Sequence, residues 1–428
     1  MNAPDSVAPP VFDLPPGTAA TSSDSHTPTL LVLNTGARSL KFSVFQAGLD
    51  EHSLSGRIDG LDTGELMLNI LGRAPQRLPT PMPFADPLDI AMSALRKGLP
   101  IRLTLQAVVH RVVHGGESFV EPTVLDDDAL ADLNRLAPLA PVHQVHNLAG
   151  IRAARRQWPQ LPQIGCFDTA FHATLPELER RLALPESLDD QGIRRYGFHG
   201  LSYEHMVHRL RQETLRVEGR ALLAHLGPGA SLCATAAGRS VATSMGFSGL
   251  DGLMMGTRSG SLDAGVVLHL MRQGWSLEQL EHLLYRESGL LGVSGLSDDL
   301  RVLRRSETPQ ARLAVDLFIH RAVRESGALI TLMGGIDLLA FTGSVGVEDA
   351  GLRAVWVQRL GFLGLDLDPR ANATDCGREP LQLHRPGSPV EVWVVPCDEG
   401  STAAASAWER LALDATMPAE LDDALQMA

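Results

Sequence analysis

Two strand–loop–strand segments, separated by about half the chain, set the terms for this sequence. In the first, the apolar run Thr29-Leu30-Leu31-Val32-Leu33-Asn34 passes through Thr35-Gly36-Ala37-Arg38 into Ser39-Leu40-Lys41-Phe42-Ser43-Val44-Phe45. In the second, Ala221-Leu222-Leu223-Ala224-His225-Leu226 passes through Gly227-Pro228-Gly229-Ala230 into Ser231-Leu232-Cys233-Ala234-Thr235-Ala236. A β-forming run, a glycine turn and a second run read as a hairpin. In both, a polar side chain closes the first strand and Ser-Leu opens the second. A third strand-to-glycine element runs from Asp337 through Thr342 into Gly343-Ser344-Val345-Gly346. Recurrence at this distance predicts a duplicated domain rather than a short-period repeat array.

Helical spacing fills the intervals. Asp86 to Gly98 opens on an N-cap carboxylate with Pro87 at the first helical position. Leu125 to Leu136 follows, with Asp126-Asp127-Asp128 read as a solvated helix start. Ser276-Leu277-Glu278-Gln279 is a capping box, and Thr308-Pro309 starts a long helix with Val315, Phe318, Ile319 and Ala322 on one face. Strands and helices mixed in this order predict an α/β or α+β protein.

Composition removes several classes of function. The 428 residues carry 37 Lys and Arg against 50 Asp and Glu, a net charge of −13, which argues against duplex nucleic acid or an anionic membrane as partner. Lysine occurs only at Lys41 and Lys97, so phosphate chemistry would rest on arginine, backbone amides and metal. Cys166, Cys233, Cys376 and Cys397 form no C-x-x-C pair, and the expectation is reduced thiols and a cytoplasmic protein. No apolar run reaches the roughly 18 residues of a membrane span. Residues 1–28, rich in Pro, Ser, Thr and Ala, read as a disordered extension without the pattern of a signal peptide.

Glycine turns between strands let backbone amides approach a phosphate, although no G-x-x-x-x-G-K-[ST] loop occurs. Four short stretches place charged or imidazole side chains near glycine or at a strand end: His110-Arg111-Val112-Val113-His114-Gly115-Gly116-Glu117, Phe167-Asp168-Thr169-Ala170-Phe171-His172, Arg194-Arg195-Tyr196-Gly197-Phe198-His199-Gly200 and Met255-Gly256-Thr257-Arg258-Ser259-Gly260. A carboxylate, two arginines and a histidine suit phosphoryl transfer: arginine neutralises the equatorial oxygens, a carboxylate holds a divalent ion, and imidazole donates a hydrogen bond. His143 and His146 mimic a metal pair, but the glutamate of H-E-x-x-H is missing and a zinc reading is set aside.

Taken in order, these stretches, with N-x-G-x-x-S-L-K at Asn34, H-L-G-x-G-A-S at His225 and S-G-L-L-G-x-S-G-x-S-x-D-x-R at Ser288, resemble the acetate kinase family, including its propionate and butyrate relatives, from about Leu31 to Glu399. The resemblance implies an α/β chain of two ribonuclease-H-like domains flanking a cleft, as in the actin and sugar-kinase superfamily. The expected division is 29–169 with a helix at about 400–414, then 170–399, with a tail at 415–428. It also implies a homodimer and reversible transfer of a phosphoryl group from ATP to acetate, giving acetyl phosphate and ADP, with Mg²⁺ or Mn²⁺ as cofactor. By motif, Arg111, Asp168, His199 and Arg258 would be catalytic, and Asn34 and Glu399 would lie near the metal. Arg111, Val113, Val142, Phe198 and Gly249 would hold the acid. Lys41, His225, Gly227, Gly229, Asp299, Leu300, Arg301, Gly343, Ser344, Val345 and Gly346 would contact nucleotide or phosphate.

Departures from the family pattern concentrate on donor and acyl pocket. Its first loop has Ala37-Arg38 in place of serines, Pro228 replaces an Asn, Ser344 alters the adenosine loop, and Val142 and Gly249 replace Leu and Pro. A wider acyl pocket that admits propionate is expected. A non-ATP donor such as pyrophosphate, and a degenerate, weakly catalytic binding protein, are the alternative readings. A sugar kinase is disfavoured by the His110 and Arg194 motifs.

Overall fold

The computed structural model describes residues 27–49, 52–78, 86–99 and 103–416. Most of the extension expected at 1–28 and of the tail expected at 415–428 lies outside these residues. Two compact units result: Met1–Asp168 with Glu399–Ala428, and Thr169–Asp398.

The first unit holds one sheet of β1 (Pro28–Thr35), β2 (Ser39–Gln46), β3 (His52–Asp59), β4 (Met67–Ile70), β5 (Gln76–Arg77), β6 (Thr104–Val112), β7 (Thr123–Val124) and β8 (Gln163–Phe167), in the order β5-β4-β3-β2-β1-β6-β8-β7. The first hairpin forms as its turn predicts, with Asn34 opposite Lys41. β1, β6 and β8 run parallel. β2 alternates, burying Leu40, Phe42 and Val44 while Lys41 is exposed. β8 is buried along its whole length, as a parallel strand covered on both faces must be. Leu31, Leu33, Leu40, Phe42 and Val44 form a core with Met92 and Leu95 of helix Pro87–Gly98 and with Ala153 and Ala154 of helix Gln144–Gln157. Helix Glu399–Thr416 packs on β1, β6 and β8 with Ala403, Ala404 and Ala407 buried.

In the second unit, β9 (Arg220–Leu226), β10 (Ala230–Ala236), β11 (Arg239–Thr243), β12 (Leu338–Thr342), β13 (Leu381–Gln382) and β14 (Glu391–Val394) are ordered β11-β10-β9-β12-β14-β13. β9, β12 and β14 are parallel and β10 is antiparallel to β9. The run β3-β2-β1-β6-β8 therefore recurs as β11-β10-β9-β12-β14, with the same strand directions. This is the ribonuclease-H-like fold, present twice.

One local reading changes and another gains detail. The stretch Gly343–Gly346, expected as a loop, opens helix Gly343–Glu348 directly after β12. Gly343 has φ +79°, and a Cβ there would meet the Leu226 carbonyl oxygen at 2.4 Å, so only glycine lets the chain turn this tightly. Asp126 is exposed at a helix start, as expected, and does more there. Its side chain accepts from the Ala129 amide and caps helix Asp127–Arg135.

Candidate active site

In open α/β sheets ligands bind beyond the carboxyl ends of the parallel strands. Register sets those ends side by side in the first unit: Leu33 lies opposite His110, and Arg111 opposite Cys166. Asn34, Arg111 and Asp168 thus share one edge. Arg111 Nε donates to Asp168 Oδ1 at 3.0 Å and Nη2 to Oδ2 at 2.7 Å, a bidentate pair. Its Nη1 meets Glu399 Oε2 at 2.5 Å. Asp168 is only 1% exposed, and the guanidinium offsets part of the cost of burying it. Asn147 ties the strand ends together, donating to the Thr35 carbonyl and accepting from the Val113 amide, both at 2.9 Å. Beneath the edge, burial pulls His110 down to about 4, and its Nε2 contacts Gln163 Oε1 at 2.8 Å. Val113 and Val142 are half-buried and Lys41 is exposed.

The second unit offers a different edge. Thr342 lies opposite His225 at the ends of β12 and β9. His199 sits at the start of helix Gly200–Glu213 with φ +61°, a strained conformation for a residue with a side chain. Its ring stacks on His225, with centroids 4.2 Å apart and planes at 23°. His199 Nδ1 is 2.8 Å from Ser231 Oγ, and His225 Nδ1 is 2.8 Å from Ser202 Oγ. Arg258 Nη1 donates to the Gly249 carbonyl at 2.8 Å, and burial lowers its pKa from the usual arginine value. Phe198 is buried, and its carbonyl accepts from His172 Nε2 at 3.0 Å.

Close by in the same unit lies a cavity of about 160 Å³. Gly227, Asp299, Leu300, Arg301, Ser344 and Val345 line it, and so does Pro228. Arg301 is held between Asp299, at 2.8 Å, and Glu348, at 2.6 Å.

A sequence profile of the acetokinase family matches residues 29–405. The chain belongs to the acetokinase family. It is 44% identical over 392 residues to an acetate kinase of Rhodopseudomonas palustris, covering 89% of this chain and 97% of that one. Among solved structures it is similar to Porphyromonas gingivalis acetate kinase (TM-score 0.81, 33% identity, 90% of this chain and 100% of that one) and to a propionate kinase from Francisella tularensis (0.80, 28%, 89% and 98%). The protein is accordingly a phosphotransferase with a carboxyl group as acceptor, a short-chain carboxylate kinase.

Measured against this acetokinase fold, the residues singled out by motif divide between the units. Asn34, Lys41, Arg111, Val113, Val142, Asp168 and Glu399 belong to the first; His199, Phe198, His225, Gly249, Arg258 and the cavity residues belong to the second. Gly229, Gly343, Gly346 and His225 do not line the cavity, although they flank residues that do. Leu226, Gly256, Leu290, Asp298 and Phe318, which motif reading gave no role, complete its lining. Motif reading also passed over Asn147, Ser231 and Arg353. Arg353 is 2% exposed and donates to the Gly346 and Val347 carbonyls, holding the end of helix Gly343–Glu348. The signal available was an arginine among the apolar residues of helix Ala350–Arg359, whose other arginine stands at its last position.

Proposed function

We propose that the chain catalyses reversible transfer of the γ-phosphoryl group of ATP to acetate or propionate, giving an acyl phosphate and ADP by direct in-line displacement. The observation that carries this reading is the Arg111 guanidinium bridged by Asp168 and Glu399 at the strand ends of the first unit. A carboxylate is already a charged nucleophile, so the chemistry needs little general base. Its difficulty is repulsion between two anions, which guanidinium groups and a divalent ion relieve while positioning supplies much of the remainder. Arg111 and Arg258 neutralise charge on the transferring group, and His199 donates a hydrogen bond to it or to the acyl oxygen. Val113 and Val142 of the first unit, and Phe198 and Gly249 of the second, are the residues this reading assigns to the short alkyl chain. The nucleotide occupies the cavity beside Asp299–Arg301 and Ser344–Val345.

The residues present fit a divalent cation. Among the described residues no group of three His, Cys, Asp or Glu side chains is arranged as a metal cage. Mg²⁺ in phosphoryl transfer asks for less, one or two carboxylates with water and phosphate oxygens completing its shell. Asp168, Glu399 and the Asn34 amide oxygen are hard oxygen donors of that kind. The ion, Mg²⁺ or Mn²⁺, supplies charge neutralisation across the donor phosphates.

A different donor has one specific observation in its favour: Pro228, which lines the cavity, offers no amide proton where a phosphate loop usually supplies one. A hydroxamate screen of ATP, GTP and pyrophosphate against acetate, propionate and butyrate tests both readings. The expected result is acyl phosphate with ATP. Product only with pyrophosphate would replace the donor, and no product with any donor would leave a binding protein.

The remaining expectations follow the same reading. Helix Ala264–Arg272 has no buried residue and, with its flanks, exposes Leu262, Val266, Leu268, Met271, Trp275 and Leu277. Such an apolar surface suits a second copy of the chain, and light scattering at the mass of a dimer checks it. The four cysteines are free thiols, which suits the cytoplasm. Among the described residues no helix is long and apolar enough to cross a membrane.

A further inference from the structure

We propose that Arg321 and Thr257 are positioning residues for the transfer step: their side chains fix the loop at residues 255–261 and so aim the Arg258 guanidinium. The effect on catalysis rests on the carboxylate-kinase reading; the fixing of the loop does not.

A guanidinium on a flexible stem is only as well placed as the backbone beneath it. Residues 255–261 form neither helix nor strand, so their amides and carbonyls need partners outside the regular ladders. Ahead of Arg258 those partners are main chain. The Leu290 and Leu291 amides donate to the Met255 and Gly256 carbonyls, both at 2.9 Å, and the Ser288 amide donates to the Thr257 carbonyl at 3.0 Å. Gly289, at φ +64°, permits this approach, since a Cβ there would stand 2.2 Å from the Met255 carbonyl oxygen and 2.7 Å from that of Arg258. Just past Arg258, the Ser259 amide donates to the Leu284 carbonyl at 3.2 Å. Leu284 belongs to a π-helical turn, Leu283–Glu287, a rare geometry that recurs at functional sites.

Side chains close the latch at two points. Thr257 Oγ1 donates to the Tyr285 carbonyl at 2.8 Å, in the same π-helical turn. Arg321, half-buried on helix Pro309–Leu332, donates from Nη1 to the Ser259 carbonyl at 3.2 Å and to the Ser261 carbonyl at 3.1 Å. A carbonyl only accepts, and Nη1 carries two protons, one for each, so the direction of every bond is fixed. The loop is thus gripped on both sides of Arg258, whose own Nη1 reaches back to the Gly249 carbonyl at 2.8 Å. Losing one grip leaves the guanidinium in place on its stem but spreads its positions, and a misplacement of about 1 Å costs on the order of a hundredfold in rate.

The test joins hydrogen–deuterium exchange to kinetics on the full chain. Arg321→Met keeps the stem and removes the donors, and Thr257→Val keeps the shape and removes the hydroxyl. Exchange in peptides covering residues 255–261 is expected to quicken by about tenfold in each variant. Arg321→Lys should slow it again, since one ammonium nitrogen can serve both carbonyls as Nη1 does. In Arg321→Met kcat should fall by on the order of tenfold to a hundredfold with KM for ATP changed little, and Arg321→Lys should restore most of it. In an Arg258→Ala background, Arg321→Met should lower the residual kcat by less than about twofold, because its effect passes through that guanidinium. Unchanged exchange in both variants would overturn the proposal, and so would an equal loss of kcat with and without Arg258. Thr257→Val, nearly isosteric, decides the matter should Arg321→Met fail to fold. Absence of acyl phosphate from wild type would sink the kinase reading while leaving the exchange result standing.

Discussion

In the first unit the shared strand edge is ionic, and in the second it is largely neutral, though both are built on the same strand order. Where β1 and β6 end, Asn34 lies alongside Arg111, and Asp168 and Glu399 saturate the guanidinium. Where β9 and β12 end, the corresponding positions hold His225 and Thr342, backed by Ser202, Ser231 and the glycine loop. The second unit's arginine, Arg258, is anchored through a backbone carbonyl. Duplication has thus repeated the scaffold and let the side chains diverge: one edge is built from charged groups, the other from histidine and hydroxyl groups beside a cavity. Fold repeats positions, and function lives in what occupies them.

The largest expected effect separates these two arginines. Arg111→Ala and Arg258→Ala should each lower kcat by about a thousandfold or more, as loss of a guanidinium on a transferring phosphoryl group does. Lysine should not rescue Arg111, because a point charge cannot span Asp168 and Glu399 together. Stability should distinguish the two variants. Arg111→Ala takes the bidentate guanidinium away from the buried Asp168 carboxylate, a loss of about 3–5 kcal/mol. Arg258→Ala removes a buried cation and its desolvation together, so it should cost much less. Urea melts of the two variants check this, and equal losses would contradict the contrast drawn between the edges.

Each unit also buries a neutral histidine, and this predicts where acid should act. Burial lowers His110 in the first unit and His172 in the second from 6.5 to about 4. Below pH 6.5 the unfolded chain binds protons that the folded chain refuses. Stability should therefore fall as pH drops from 6.5 toward 4 and level off beneath, by on the order of 2 kcal/mol per histidine between pH 7 and pH 5. His110→Gln and His172→Gln should each remove part of that slope. An unchanged slope in either would show that its imidazole is not excluded from protonation.

Much of this architecture is legible in the sequence, because hairpins, caps and buried strands follow from local pattern. The Thr29–Phe45 and Ala221–Ala236 hairpins, the Pro87 and Pro309 helix starts and the Ser276 capping box all appear where propensity places them. What stays hidden depends on residues distant in the chain. Nothing near Gly343 announces a helix, since its turn is forced by the Leu226 carbonyl, far away in sequence. Asn147 and Ser231 read as ordinary polar residues until the fold places Thr35 and Val113 around one and His199 and Tyr203 around the other. Motif reading singled out Arg111, Asp168 and Glu399 separately but could not show that they meet in one ion-paired group.

A smaller effect tests whether the second unit's cavity takes the donor. Arg353 donates to the Gly346 and Val347 carbonyls and to Asn372, fixing the helix that carries Ser344 and Val345. Arg353→Lys keeps the charge and loses the fork. KM for ATP should rise by about tenfold, some 1.4 kcal/mol, with KM for the carboxylic acid nearly unchanged. A rise in the acid's KM instead would assign the cavity to the acceptor.

An effect of similar size concerns the acceptor. A Cβ at Gly249 would stand 3.3 Å from Arg258 Nη1, so the glycine leaves space that any side chain would take up. Val142 is likewise smaller than a Leu would be, and propionate should be used at least comparably to acetate. One methylene is worth only about 1–3 kcal/mol in such a pocket. Gly249→Ala should therefore shift kcat/KM toward acetate by about tenfold, partly through the closed space and partly through pressure on the guanidinium. Competition between the two acids in a single assay measures that ratio directly. If the variant lowers both rates equally, Gly249 serves Arg258 alone, and the difference in acid size is read elsewhere.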